Sequence, residues 1–193
     1  MPAYAKRSFR KYDGTAVQGA KNVDWEDIAA DDKGNLIIAD IGNNNRTRRD
    51  LVLYIVQEPN PYKSGVTSVR SKVFFRYPRD KGKSSERKNF DAEAIFWARG
   101  HLYLLTKDWA GTGTRLYRFD SLRPLSMNPL ALVGCFDFDG VVTAADVTPD
   151  GRRLAVLTYN AVWLFEVGEA SDNYFKGAIR WLPMRAGQCE SIT

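Results

Sequence analysis

One histidine and two cysteines among 193 residues leave little scope for soft metal ligands or thiol chemistry. His101 stands alone, so a histidine-based metal site cannot form within the chain, and it reads as a surface residue opening a strand. Cys135 and Cys189 cannot build a disulfide framework or a four-cysteine zinc site; both fall in or beside expected strands and read as buried free thiols. No apolar run approaches the ~20 residues that cross a bilayer, and Met1 to Lys11 lacks a secretory apolar core. The expectation is a soluble chain with no membrane span and no address of its own. A form carrying a leader would open the periplasm or the extracellular space to it. Helical periodicity is nearly absent, Ser191 lacks the Gly-x-Ser-x-Gly elbow of hydrolases, and Gly111-Thr112-Gly113 precedes no helix.

Charge is present but not organised into a stripe. The net +5 and a pI near 9.2 invite nucleic acid. The basic residues, however, fall into separate clusters, Lys6 to Lys11, Arg46 to Arg49 and Arg79 to Lys88, which read as solvated loops, so no nucleic-acid partner is expected. With 44% hydrophobic and 26% charged residues, the composition is that of one globular domain with a sizeable core.

What the chain does contain is a repeated acidic motif. Asn22-Val23-Asp24-Trp25-Glu26-Asp27-Ile28 recurs in degenerate form as Asn89-Phe90-Asp91-Ala92-Glu93-Ala94-Ile95, as Val142-Thr143-Ala144-Ala145-Asp146-Val147 and as Gly187-Gln188-Cys189-Glu190-Ser191-Ile192. Aligned on Ile28, Ile95, Val147 and Ile192, the copies are spaced by 67, 52 and 45 residues, unequal intervals that point to variable loops. Each is followed by a turn and further apolar runs, such as Asn35 to Asp40 and Leu51 to Val56, and preceded by another strand-like run, Ser8 to Tyr12, Lys72 to Tyr77, Leu132 to Phe136 and Ala178 to Leu182 in turn; Trp97, Trp163 and Trp181 lie in strand runs and read as core. Four strands per unit with frequent turns read as all-β, a β-propeller of about three complete four-stranded blades plus flanking strands. The units span approximately 7–58, 71–120, 130–167 and 177–193, the last being the start of a further blade. Such a piece of a ring would expose strand edges and self-associate through them.

The motifs Asn22 to Ala29, Ala39-Asp40-Ile41-Gly42-Asn43-Asn44, Phe90 to Ile95, Thr143 to Val147 and Gly187 to Ile192 together resemble a group of largely uncharacterised bacterial β-propeller proteins. More distantly the chain is similar to the NHL, SMP-30 and phytase-like propellers, whose members include hydrolases, calcium-dependent phosphatases and pure binding modules. The resemblance implies the fold and leaves the chemistry open. A second likeness, of Asp137-Phe138-Asp139-Gly140-Val141-Val142-Thr143 to the first motif of haloacid-dehalogenase phosphatases, lacks the helical context that motif requires.

Propeller topology would gather Glu26, Asp27, Asp91, Glu93, Asp146 and Glu190 at one mouth of the channel, with Asp40, Asn43, Asn44, Lys107, Asp108, Trp109 and Tyr159 on the same face. Two readings stand side by side. In one, the short acidic side chains accept backbone N–H groups and fix the turns into the inner strands, Lys107 neutralises them, and the protein is a scaffold binding a small molecule or a protein through Asp40, Asn43, Asn44, Lys107, Trp109 and Tyr159. In the other, Glu26, Asp27, Glu93 and Glu190 are oxygen ligands for Ca²⁺, and Lys107 or Arg46 holds the anion of a phosphoester or sugar-derived ester in a calcium-dependent hydrolase.

Overall fold

In the computed structural model the described residues are 14–60, 62, 65–78, 91–107, 113–169, 171–184 and 189–193. They form an all-β structure of 13 strands, in which the sole helical element is a single 3-10 turn at Tyr174–Lys176. Three antiparallel meanders of four strands account for almost all of it. The first runs through β2 (Trp25–Ala30), β3 (Asn35–Asp40), β4 (Val52–Gln57) and β5 (Gly65–Arg76). The second comprises β6 (Ala92–Ala98), β7 (His101–Thr106), β8 (Thr114–Phe119) and β9 (Met127–Phe136). The third comprises β10 (Val142–Val147), β11 (Arg153–Thr158), β12 (Ala161–Glu166) and β13 (Ala178–Pro183).

The last strands of the first two meanders meet in a short parallel pairing, Phe74 to Arg76 against Met127 to Pro129, and β1 (Thr15–Gln18) adds in parallel to the start of β5. That makes one continuous nine-stranded sheet by hydrogen bonding, with the third meander separate. The first strands lie side by side, β2 against β6 and β6 against β10.

Burial follows from this layering. One core fills the space between the first and second meanders, with Ile37, Ala39, Leu53, Val73 and Phe75 facing Ile95, Leu102, Leu104, Tyr117 and Phe119. A second lies between the second and third, where Phe96, Tyr103, Leu105 and Leu116 meet Val156, Phe165, Tyr174 and Phe175. The second meander is therefore covered on both faces, and its strands read as continuous apolar runs, Ala94 to Ala98 and Leu102 to Leu105, rather than alternating ones. Each fully buried Leu or Phe contributes about 1.5–3 kcal/mol relative to an exposed one. The β6–β7 hairpin turns on Arg99 and Gly100, both with positive φ (52° and 80°), the backbone of the two-residue turn that suits the strands' right-handed twist.

Several expectations are corrected. A strand not expected, Thr15–Gln18, precedes the first motif; the expected strand Ser8 to Tyr12 lies outside the described residues. Strands β5 and β9 begin seven and five residues before the expected Lys72 and Leu132, because Gly65 to Ser68 pair in parallel with β1 and Met127 to Pro129 pair in parallel with Phe74 to Arg76. Cys135 is exposed, not buried, and Trp181 is 56% exposed although it stacks on Trp163. Both sit on fourth strands, which have a neighbouring strand on one side only over these residues.

Candidate functional site

Each first strand carries a β-bulge at the same place. The pairing slips between Trp25 and Asp27, between Ala92 and Ala94, and between Val142 and Ala144. The extra residues are Glu26, Glu93 and Thr143, so the equivalent positions of the first two motifs are matched in the third by Thr143 and not by Asp146. The alignment on Val147 is two residues out, and Asp146 lies further along β10, opposite Ala155. A bulge bends the strand and re-aims its side chain. At Glu26 and Glu93 it turns two carboxyls toward each other across the seam between β2 and β6, where they share a hydrogen bond.

Lys107, directly after β7, reaches Glu93 with Nζ at 2.8 Å from Oε1, and both side chains are nearly closed to solvent. Burial, then the neighbouring Glu93, Asp24 and Asp91, pushes the Glu26 carboxyl up to about 8, so at pH 7 it keeps its proton and donates to Glu93. Burial also raises Glu93, with Lys107 opposing. Burial works against the charge of Lys107, and the Glu93 carboxylate overrides it, leaving its ammonium held above the usual lysine range. The array is charge-balanced: a neutral acid, a carboxylate and an ammonium.

The other acidic side chains are tied to backbone. Asp40, fully buried at the end of β3, accepts Val23 N–H (3.2 Å) and Asp24 N–H (3.0 Å) and pairs with Arg48 Nη1 at 2.8 Å. Arg48 also donates to the Gly42 carbonyl (2.8 Å) and to Asp50 (3.1 Å). Asp91 accepts Asn43 N–H at 2.6 Å, and the Asn43 side-chain oxygen accepts Arg48 N–H at 2.9 Å. Asp27 accepts its neighbour Ile28 N–H (2.7 Å) and, across to β6, Ile95 N–H (2.8 Å). Burial still dominates and raises Asp27 to about 7; the two N–H groups oppose this and Asp146 adds to it. Gly42 packs so closely on Glu26 and Asp24 that a Cβ there would overlap both carboxyls.

The structure thus brings Glu26, Glu93 and Lys107 together with Asp24 and Asp91, and sets Tyr159 near Lys107. Tyr159 is 38% exposed and Asn44 is exposed, whereas Asp40 and Asn43 are buried in the turn that holds the first strand. Trp109 and Asp108 lie outside the described residues. Asp27 and Glu190 line, with Glu26, a groove of about 500 Å³ on the outer face of the first meander. Among the described residues no group of three or more His, Cys, Asp or Glu side chains is arranged to hold a metal ion. The chain after the third meander also approaches the bulges, since Thr143 Oγ1 donates to the Cys189 carbonyl at 2.7 Å.

Arg48 is the residue whose part in the site the sequence does not reveal. It sits in a run, Arg46 to Arg49, with every appearance of a solvated loop, and only the burial of Asp40 demands a cation there. No protein-family model matches the sequence, and no curated protein matches it either.

Proposed function

We propose that the three meanders are consecutive blades of a β-propeller and that the protein is a binding or interaction scaffold. Supporting the propeller reading are the identical strand order of the meanders, the bulge repeated in each first strand, and the adjacency of β2, β6 and β10, as for inner strands around an axis. The single observation that carries the scaffold reading is the use already made of the acids. Asp27, Asp40 and Asp91 hold backbone N–H groups, and Glu93 holds Lys107 and the Glu26 proton. These bonds tie the entry to one inner strand to the loop or strand beside it. The ligand-facing groups on this reading are Asn44 and Tyr159, on the loops that follow β3 and β11.

The test is turnover of p-nitrophenyl phosphate and of a sugar lactone, with and without calcium. A scaffold leaves both at background. Calcium-dependent turnover that is lost in Glu93→Gln would overturn the reading in favour of a hydrolase.

A further inference from the structure

The loop joining β8 to β9 holds an apolar side chain out in solvent on a strained backbone. Leu125 is 78% exposed with a φ of 52°, in the left-handed region that a bulky residue with a Cβ rarely enters. Two sets of bonds keep it there. Leu125 N–H donates to the Lys72 carbonyl on β5 at 2.9 Å, and buried Asn128 ties down the carbonyls of Phe74, Arg123 and Ser126. Glycine or asparagine would meet the same backbone demand with less strain, so the fold itself does not account for a leucine at this place.

Beside Leu125 lies a hollow of about 280 Å³, walled by Val69, Pro124 and Leu125 and by the cations Arg70 and Lys72, with no acidic side chain among its described lining residues. Arg70 hydrogen-bonds the neutral side chains of Asn35 and Gln57, and the Lys72 ammonium stands 5.6 Å from the centre of the Tyr54 ring. Neither forms an ion pair among the described residues. The hollow sits where β5 meets the β8–β9 loop, at a junction of two meanders already paired strand to strand, so the stacking of meander on meander leaves it open. The two longest stretches outside the described residues have the wrong charge to fill it. Residues 1–13 carry Lys6, Arg7, Arg10 and Lys11 against Asp13 alone, and residues 79–90 carry Arg79, Lys81, Lys83, Arg87 and Lys88 against Asp80 and Glu86.

We propose that this hollow docks an acidic segment of another protein, one that sets an apolar side chain against Leu125 and Val69 and carboxylates on Arg70 and Lys72. Two cations without counter-charge around an apolar wall complement that chemistry. The volume admits one or two side chains and falls short of the ~300–1,000 Å³ that encloses a small-molecule ligand. Among the described residues no aromatic ring lines it on which a nucleic-acid base could stack. An anchor fixed in advance loses little freedom on binding, and the locked loop supplies one. Asn44 and Tyr159 lie on loops after second strands, so this surface adds a partner to the scaffold and does not restate its ligand site.

The experiment is fluorescence anisotropy of a labelled Glu-Glu-Leu-Glu-Glu peptide with the full chain at up to ~200 µM protein, beside the peptides Glu-Glu-Ser-Glu-Glu and Lys-Lys-Leu-Lys-Lys. Wild type is expected to bind the first saturably and the other two about tenfold more weakly or less. Leu125→Asn should weaken binding about tenfold while keeping or raising the melting temperature, since asparagine suits the backbone there. Arg70→Gln combined with Lys72→Gln should weaken it by about as much. Lys176→Gln combined with Arg180→Gln, an equal loss of charge at exposed positions in and beside β13, should leave it unchanged. No saturable binding by wild type overturns the proposal, as does an equal loss in the Lys176 and Arg180 variant, or a Leu125→Asn chain that binds like wild type or melts lower. Phosphatidylserine vesicles that bind through Arg70 and Lys72 where the peptide does not would replace the protein partner with a membrane. No outcome depends on calcium, turnover or the Asn44 and Tyr159 loops, so the scaffold reading at that site stands or falls separately.

Discussion

Removing the ammonium of Lys107 while keeping its bulk, as Lys107→Met, isolates what the buried pair contributes. Glu93 would lose the ammonium paired with it at 2.8 Å, in a place where 5% of its side chain is exposed. Breaking a buried pair on one side costs about 3–5 kcal/mol, because an uncompensated charge remains. Glu93 has an escape, which is to take up a proton. From its ordinary value of 4.5 that costs about 1.4 kcal/mol for each pH unit, or about 3.4 kcal/mol at pH 7 and under ~1 kcal/mol at pH 5. The expected loss in urea unfolding is thus about 3 kcal/mol at pH 7, shrinking to below ~1 kcal/mol at pH 5. The double variant Glu93→Gln with Lys107→Met should recover most of it. A loss under ~1 kcal/mol at pH 7, or one independent of pH, would refute the pairing as described.

Three further outcomes follow from the same contacts. Because Glu26 and Asp27 bind their protons more tightly folded than unfolded, their stabilisation is complete below pH ~4 and is lost as pH rises toward about 8 and about 7. Unfolding free energy should therefore fall from pH 5 to 8, by on the order of 1–2 kcal/mol for half-exposed Glu26 after solvent screening, and Glu26→Gln should flatten that part of the profile. Gly42→Ala would force Glu26 and Asp24 aside and should cost about 2 kcal/mol or more by calorimetry; an unchanged melting temperature would contradict the close approach. Asn128, buried, donates to the carbonyls of Phe74, Arg123 and Ser126, each at 3.0 Å, and accepts Arg123 N–H at 2.9 Å. Asn128→Ala should cost about 2–3 kcal/mol and speed hydrogen exchange where β5 and β9 meet.

The repeating strands were legible because their apolar runs and Gly-containing turns are local signals, as at Asn35 to Asp40 or His101 to Thr106. So was the kinship of Glu26 and Glu93, which occupy the same bulge. The third copy was misread because a bulge inserts one unpaired residue. Matching Asp146 by its acidity moved the alignment two places away from Thr143, and side-chain alternation along a strand does not register a slip of two. Exposure of Cys135 and Trp181 was illegible for a different reason: an apolar residue on a fourth strand looks like core until one knows what lies beyond it. Arg48 escaped notice because its partner Asp40 is buried by the folding back of the loop between them, a tertiary event without a local sequence signal.

The central claim is that the repeated acids are joints between strands. Thermal unfolding of the full chain with 5 mM calcium against 5 mM EDTA, at about pH 7.5 where the chain still holds much of the Glu26 proton, addresses it most directly. The account predicts coincident melting curves, with Glu93→Gln lowering both equally. A calcium-induced rise of several degrees, on the order of 1 kcal/mol or more, that disappears when Glu26→Gln and Glu93→Gln are combined would contradict it.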